Sequence, residues 1–366
     1  MFRVCDSDLL KVKKNTSVNI EVDDVYDKWS IGEMLRLACL KGNKYLINKA
    51  IQEGASNFDS GLFAACCQGN RSIVDLMVER GATNWDSGLR GACQGGHFRL
   101  AILMIAMGSK NWNGGLASAC EGGHRNLVEF MIDFGAEDWN GGLEGACKGG
   151  HHDLVKYMIE KGATNWSRGL AGACEGGHRP LAESMMERGT TDWNNGLRSA
   201  CRNGHLKMAE MMLEKGATNL DRGFREASLG GHLEIVKLMI DHAGLQKDAN
   251  TWNNGLSTAC IGRNLEIVKL MIEKGAMDWN RGFHNACYMG CLPLVKFMIK
   301  QGATDWNGGM SQACISNSRD IINLLIECGA TDLDDGLKTA RFHGHTALAK
   351  YLIECGANEY PGSLIM

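Results

Sequence analysis

The sequence lacks the features that mark a membrane-spanning or secreted protein. No run of apolar residues approaches the roughly 18–20 that span a bilayer. The N-terminal stretch MFRVCDSDLLKVKKNTSVNIEVDD carries charges throughout and has no apolar segment of a secretory signal. The fifteen cysteines mostly recur at a fixed spacing, which favours free thiols over a disulfide framework. We therefore expect a reducing, cytoplasmic location and no membrane partner.

An excess of charge of one sign is also missing. The chain has 39 basic and 42 acidic residues and a net charge of −3. Nucleic acids and anionic membranes usually require a broad basic surface, so this balance disfavours both as partners. No glycine-rich phosphate-binding loop with its lysine is present, because the Gly-Gly pairs fall between predicted helices instead of between a strand and a helix.

What the sequence does contain is a 27-residue repeat. Residues 112–138 read WNGGLASACEGGHRNLVEFMIDFGAED, and residues 139–165 read WNGGLEGACKGGHHDLVKYMIEKGATN. One apolar column marks twelve repeats: Leu35, Leu62, Leu89, Leu116, Leu143, Leu170, Leu197, Phe224, Leu256, Phe283, Met310 and Leu337. Each step is 27 residues except the step from Phe224 to Leu256, which is 32. We expect the five inserted residues, near 242–251, to form a loop between two repeats.

The columns of each repeat predict a helix, a tight turn, a second helix and a loop. Alanine stands three residues after the marker in all twelve repeats, and cysteine follows it in ten. The second segment places apolar residues at i, i+1, i+4 and i+5, one stripe of a helix, and a glycine ends it. An Asn/Asp column is interpreted as the N-cap of the first helix: Asp59, Asp86, Asn113, Asn140, Asn194, Asp221, Asn253, Asn280, Asn307 and Asp334, with Ser167 in the remaining block.

Helices this short are unstable alone, so neighbouring repeats must supply each other's core. The predicted fold is an all-α solenoid of about twelve helix-turn-helix repeats over residues 31–357. Residues 1–30 are expected to be an N-terminal extension or cap, and residues 358–366 a C-terminal tail.

The string G-L-x-x-A-C-x-G-G-H-x-x-L-V-x-x-M-I-x-x-G-A resembles the ankyrin repeat. In the fourth repeat, Leu116, Ala119, Gly123, His124 and Gly135 carry the resemblance. The usual repeat has 33 residues, and the missing six fall where the family builds a β-hairpin, so simple loops are expected here. Two further departures are Gly in place of Pro before the marker leucine and Met in place of the first Leu of the second helix. Ankyrin arrays of irregular period occur in large DNA viruses and intracellular bacteria, and we expect an origin of that kind.

The recurring Cys and His columns raise the question of metal or thiol chemistry. Zinc needs about four ligands that converge on one point, whereas these pairs are spread one per repeat. We therefore interpret the Cys column as buried packing and the His column as a cap or a hydrogen-bonded bridge to a neighbouring loop, with no metal, no cofactor and no catalytic residue. Five cysteines outside the column are expected to be exposed: Cys5, Cys67, Cys291, Cys328 and Cys355.

Two apolar columns are also assigned to the core. The Met column occupies the buried stripe of the second helices. The Trp column is interpreted as core filler beneath the shortened loops, with a carbohydrate- or peptide-binding platform as the alternative: Trp85, Trp112, Trp139, Trp166, Trp193, Trp252, Trp279 and Trp306.

Function is expected at the positions that vary. In ankyrin proteins the first helices line a concave face that usually binds the partner, and the resemblance places the candidate partner-binding residues there: Arg90, Gln94, Glu121, Glu144, Lys148, Glu175, Arg198, Arg202, Arg225, His284, Tyr288, Ile315 and Phe342. We predict a monomeric, non-enzymatic scaffold that binds a partner protein on this face. The alternatives are a nucleic-acid-binding α-solenoid, which needs a basic inner face, and a thiol-dependent enzyme.

Overall fold

The repeat period corresponds to a pair of α-helices. The computed structural model describes residues 31–242 and 244–358, and this part of the chain contains twenty-four helices and no strand. The first helices of the repeats are α1 (Ile31–Lys41), α3 (Phe58–Gln68), α5 (Trp85–Gly95), α7 (Trp112–Gly122), α9 (Trp139–Gly149), α11 (Trp166–Gly176), α13 (Trp193–Asn203), α15 (Leu220–Gly230), α17 (Ala249–Ile261), α19 (Trp279–Tyr288), α21 (Trp306–Ile315) and α23 (Leu333–Phe342). The second helices are α2 (Lys44–Gln52), α4 (Arg71–Glu79), α6 (Phe98–Ala106), α8 (Arg125–Asp133), α10 (His152–Lys161), α12 (Arg179–Glu187), α14 (Leu206–Glu214), α16 (Leu233–Asp241), α18 (Leu265–Glu273), α20 (Leu292–Gln301), α22 (Arg319–Cys328) and α24 (Thr346–Glu354). The predicted all-α solenoid is confirmed.

The helices form two units, which divide at the insertion. The first unit contains Gly32–Leu245 and the second begins at Gln246. Between α16 and α17, residues 244–248 form turn and irregular structure, whereas residues 249–251, at the end of the predicted insertion, begin α17. The predicted N-terminal cap (residues 1–30) and the tail beyond Asn358 lie outside the described residues. Within the ranges that the structure describes, no helix is long and apolar enough to cross a bilayer.

Four recurring columns build the core. The marker residues and the alanines three positions later are buried in all twelve repeats. The ten cysteines that follow those alanines are buried as well. On the second helices the nine residues of the Met column have no exposed surface: Met77, Met104, Met131, Met158, Met185, Met212, Met239, Met271 and Met298. The packing role predicted for the Cys and Met columns is confirmed.

The two departures from the usual ankyrin string belong to one contact. A Cβ built on Gly115, directly before the marker Leu116, would lie within 3.0 Å of Sδ of Met131 in the same repeat. The Sγ atom of Cys93, from the preceding repeat, would lie 3.5 Å from that Cβ. The close approach to the methionine recurs at Gly61, Gly88, Gly142, Gly169 and Gly196. The flexible thioether therefore fills the space that a missing side chain leaves, which explains why Gly and Met occur together.

First helices of neighbouring repeats approach each other through a second glycine column. A Cβ on Gly145 of α9 would lie well within 3.0 Å of the backbone carbonyl oxygen of Ala117 on α7. Gly91 and Gly172 meet the carbonyl oxygens of Phe63 and Glu144 in the same way. Unlike a methionine side chain, a backbone carbonyl cannot move without moving its helix. These positions therefore fix the spacing of the first helices.

The N-cap prediction is wrong by two residues. Except in α17, which Asp248 caps, the caps are the Asn or Asp before the Trp column: the side chain of Asn84, for example, accepts a hydrogen bond from the Ser87 amide at 2.9 Å. Trp85 is thus the first residue of α5, and Asp86 is its second. The short loop leaves an Asn/Asp on each side of the Trp, and only the first can reach the amide three residues later.

The predicted cap column instead links neighbouring repeats. Asn113 Oδ1 accepts the backbone amides of Glu137 and Asp138 at 2.8 and 2.9 Å, in the loop that leads to the next repeat. Asn140, Asn194, Asn253, Asn280 and Asn307 make the same two bonds. These side chains replace the hydrogen bonds that a β-hairpin would supply to the loop.

The Trp column is not the core filler that we expected. Its rings are half-buried in the described structure, and only Trp252 is fully buried. Trp85, Trp139 and Trp279 are the first residues of their helices and lie near Gly108, Gly162 and Gly302, which follow the second helix of the same repeat. The ring of Trp112 lies 5.2 Å from that of Phe134, and Trp166 stacks under Arg188 at 5.0 Å. The rings therefore shield the loop while one face stays accessible.

The His column forms the second polar link between repeats. Nε2 of His97, His151 and His205 lies 3.2, 3.1 and 2.9 Å from a carbonyl oxygen near the end of the preceding first helix. A carbonyl can only accept, so Nε2 carries the proton. None of these histidines caps its helix with its side chain, whereas Asn70 at the same position accepts the Ile73 amide at 3.3 Å. Of the two predicted roles, the histidines have the bridging one.

Candidate partner-binding face of the first helices

Most of the thiols are too deeply buried to take part in chemistry. Desolvation raises the pKa of the column thiols, for example those of Cys93, Cys120 and Cys174, to about 12. A thiol with such a pKa is protonated at neutral pH, so it is neither a nucleophile nor a metal ligand. Among the cysteines predicted to be exposed, Cys67, Cys328 and Cys355 are half-buried. The prediction for Cys291 is wrong, since this thiol is buried, and Cys5 lies outside the described residues.

The Cys and His columns do not combine into a metal site. Within residues 31–242 and 244–358, no group of three or more His, Cys, Asp or Glu side chains is placed to hold an ion. The Nε2 protons of the bridging histidines already point at carbonyl oxygens of the preceding repeat. The imidazoles are thus used in joining repeats.

In the first unit, the row five residues after the marker forms a polar ladder, defined as Gln94, Glu121, Lys148 and Glu175. Gln94 Nε2 donates to Glu121 Oε1 at 3.0 Å. The Lys148 ammonium lies 3.0 Å from Glu121 and 2.8 Å from Glu175, so it bridges two carboxylates. The three charged side chains of the ladder are 16–30 % exposed. Four of the predicted partner-binding residues are therefore already paired with one another.

Most of the other predicted charges of this unit also have partners. Glu144 accepts from Arg168 at 2.8 Å. Arg198 donates to Asn195 at 2.9 Å, and Arg202 lies 3.3 Å from Glu226. Arg90 is half-buried, and Arg225 is exposed. Lys148, Arg168 and Arg202 each meet a carboxylate, so much of the positive charge on this face is compensated within the face.

In the second unit the same row is apolar. It consists of Ile261, Tyr288, Ile315 and Phe342, one from each first helix, and we call it the apolar row. Tyr288 is 38 % exposed and Phe342 is 85 % exposed, while the two isoleucines are half-buried. Exposed large apolar side chains thus occur in this row of the second unit, where the first unit has the paired charges of the polar ladder. The row is the apolar part of the predicted face.

The repeats of the apolar row are joined by different polar groups from those of the first unit. Where the His column gives way to Asn264, Cys291 and Ser318, Arg263 donates to the carbonyl oxygen of Met289, and Ser316 donates to that of Cys287 at 2.9 Å. His284, another predicted binding residue, lies 2.7 Å from Asp305 of the next repeat. The second unit therefore keeps its inter-repeat links with the row still exposed.

Sequence reasoning missed an apolar surface on the second helices of repeats three and four. Phe98, Ile102, Phe130 and Phe134 lie there, and Ile102 and Phe134 are 46 % and 42 % exposed. A signal was present: the outer positions of α6 hold Ile102 and Ala106, whereas the equivalent positions of α8 hold Glu129 and Asp133. This signal is easily overlooked, because it occurs in a single repeat and not in a recurring column.

Comparison with known proteins supports the repeat type. Residues 224–307 match the family model described as ankyrin repeats (3 copies). No curated protein matches the chain. Among solved structures, the chain is similar to the crystal structure of the pentatricopeptide repeat protein PPR10 from maize, at 14 % identity and a TM-score of 0.33. That alignment covers 98 % of this chain, which spans 65 % of the other chain's length.

The matched segment begins at the marker Phe224 and runs to Asn307, through α15–α20 and the start of α21. Its helix pairs, buried columns and Asn-bonded loops are those of the repeats before and after it. Residues 224–307 are therefore ankyrin repeats, and they lie within an array of similar helix pairs.

Proposed function

We propose that the chain is a non-enzymatic scaffold that binds a partner protein on its first helices, and that the apolar row of the second unit anchors the partner. The observation that carries the proposal is the exposure of Tyr288 and Phe342 at matching positions of their repeats. Binding energy at protein interfaces is concentrated in a few large side chains, among which Tyr and Trp are frequent. Ankyrin repeats usually serve protein binding, which agrees with this assignment.

The surroundings of the row indicate the chemistry of the partner. Lys338 lies one helical turn before Phe342, and it is exposed. The nearby carboxylates of Asp334 and Asp335 are already bonded, to the Asn358 amide and to Ser311. A protein segment that presents apolar side chains flanked by carboxylates complements this end of the row, and the charges add to its association rate.

The polar ladder argues against the nucleic-acid alternative. A phosphate backbone needs unpaired Lys and Arg along the groove. Here Lys148 holds two carboxylates, and Arg168 holds Glu144. The high pKa of the column thiols likewise disfavours the thiol-dependent enzyme, since its nucleophile must ionise near neutral pH.

The test compares proteins captured by the wild-type chain with those captured by Tyr288→Ala and Phe342→Ala. Tyr45→Ala is the matched control, because Tyr45 is an aromatic residue with 65 % exposure on a second helix of the other unit. We expect the control to recover the same partner as the wild type. For the purified partner, each row substitution should weaken binding by about 2 kcal/mol, which is about 30-fold in Kd.

Both substitutions are at exposed positions, so their circular dichroism spectra and melting temperatures should match those of the wild type. Equal recovery of every partner by folded Tyr288→Ala and Phe342→Ala would refute the role of the apolar row.

A further inference from the structure

One second helix lacks the charged side chain that most of the others carry at a solvent-facing position. Ile102 of α6 is 46 % exposed. At the same position, most other repeats carry a charge: Asp75, Glu129, Lys156, Glu183, Glu210, Lys237, Lys269, Lys296 and Lys350. One turn later, Ala106 is exposed where α8 and α10 have Asp133 and Glu160. Repeat three has therefore lost the charges that solvate this side of the array.

The exception is part of a larger surface. The ring of Phe98 lies 4.6 Å from that of Phe130, which lies 4.8 Å from Phe134. Trp112 extends the cluster, 5.2 Å from Phe134. Met107 is 41 % exposed, and the equivalent residues of the next two repeats are Phe134 and Lys161. We call Phe98, Ile102, Met107, Trp112, Phe130 and Phe134 the outer aromatic patch. All six belong to the first unit.

Opposite charges flank the patch on its two sides. In repeat three, the segment 98–111 contains Arg99 and Lys110 and no acidic residue. In repeat four, the segment 125–138 contains one basic residue and four acidic ones. Arg99, Lys110, Asp133 and Glu137 make no ion pair within the described part of the chain, although other second helices pair their charges, as Lys156 does with Glu160.

We infer that the outer aromatic patch is the interface of a homodimer. A two-fold axis that runs between α6 and α8, parallel to both, places repeat three of one copy against repeat four of the other. Lys110 then faces Glu137 of the second copy, and the aromatic cluster packs on itself. An axis perpendicular to these helices would instead set repeat four against repeat four, and acidic residues would face each other. Self-complementarity of this kind is what an isologous interface requires.

The inference replaces the expectation of a monomer and is independent of the apolar row. Removal of the exposed isoleucine, methionine and aromatic surface from water supplies the driving force. The charge pairs at the rim fix which repeats meet. The apolar row belongs to the second unit and shares no residue with the patch.

Sedimentation equilibrium of the full chain tests the inference. We expect the wild type to sediment as a dimer and Ile102→Lys to sediment as a monomer at the same concentration, with the dimer Kd raised about tenfold or more. Lysine is native at the equivalent position of repeat five, so α6 should tolerate it. Lys237→Ala, at the equivalent position of repeat eight, is the control and should dimerise as the wild type does.

A charge swap distinguishes this interface from any other. Lys110→Glu and Glu137→Lys should each weaken the dimer about tenfold, because a two-fold axis breaks two pairs for each substitution. The double variant restores both pairs and should recover the wild-type affinity. The inference is overturned if the wild type stays monomeric at all concentrations, if Ile102→Lys still dimerises, or if the double variant is no tighter than the single ones. Tyr288→Ala should not alter dimerisation.

Discussion

Placing a single methyl group between two first helices tests how the repeats are held together. In Gly145→Ala, the new Cβ meets the carbonyl oxygen of Ala117 well within 3.0 Å, a separation that real Cβ atoms do not adopt. Helices α7 and α9 must therefore move apart by roughly 1 Å, and atoms along their contact lose part of their dispersion energy. Overpacking of this kind costs about 1–3 kcal/mol. Replacing a helical glycine by alanine returns about 1 kcal/mol.

We expect Gly145→Ala to lower the free energy of unfolding by up to about 2 kcal/mol net, and by about 1–3 kcal/mol relative to a glycine-to-alanine substitution without a clash. Gly142→Ala meets the Met158 thioether instead of backbone, so its cost should be smaller and should decrease further when Met158 is shortened to Ala. Met158→Ala should not relieve Gly145→Ala. Gly32→Ala is the control: no heavy atom lies within 4 Å of its added Cβ, and the substitution should be neutral or stabilising.

Urea unfolding followed by circular dichroism measures these differences. Amide hydrogen exchange then locates them, since the loss of protection should centre on α7 and α9. A Gly145→Ala variant as stable as Gly32→Ala would refute the close approach. Equal relief of both variants by Met158→Ala would refute the distinction between a movable side chain and a fixed carbonyl.

Three further outcomes follow from the polar links and the buried thiols. Iodoacetamide should label Cys67, Cys328 and Cys355 in the folded chain. The column thiols should react only after unfolding, because burial raises their pKa, for example that of Cys93 to about 12. Mass spectrometry after brief labelling checks this, and modified column peptides would contradict it. Burial lowers the pKa of His178 in the folded chain below the unfolded value of 6.5. The neutral imidazole therefore contributes its full stabilisation above pH 6.5, and this contribution decreases as the pH falls. The melting temperature of His178→Asn should accordingly decrease less between pH 7 and pH 5 than that of the wild type. Asn113→Ala leaves two loop amides without their acceptor and should cost about 1–3 kcal/mol in urea unfolding, and an unchanged midpoint would show that water replaces the side chain.

The periodic part of the fold could be predicted from the sequence because each column has one local or nearest-neighbour cause. The 27-residue step located all the helix pairs, and the invariance of Ala119 and its equivalents indicated a contact that allows only a small side chain. The link between Gly115 and Met131 was not foreseen. In the sequence they are two separate departures, and only the fold shows that one fills the space left by the other.

The errors concern positions whose partners lie far away in the sequence. Asn113 has the residue type of an N-cap, but it bonds amides 24 and 25 residues later, and local capping rules cannot detect this. Burial of Cys291 follows from its place in the His column, against a neighbouring repeat. On the candidate face, the variable positions were identified correctly as first-helix residues. The sequence could not show that Lys148 is occupied by two carboxylates while Phe342 is open.

The links between repeats have a consequence for how such a chain changes over generations. Each Asn/Asp side chain reaches only the loop that leads to the next repeat, and each bridging histidine reaches only the preceding repeat. A recombination that removes residues 112–138 would join Asn111 to Trp139, an Asn-Trp junction like the one at Asn84 and Trp85. The same holds for duplication of a block. Whole repeats can therefore be deleted or duplicated as units. Related chains can change their length and their binding surface in steps of 27 residues while each repeat keeps its packing.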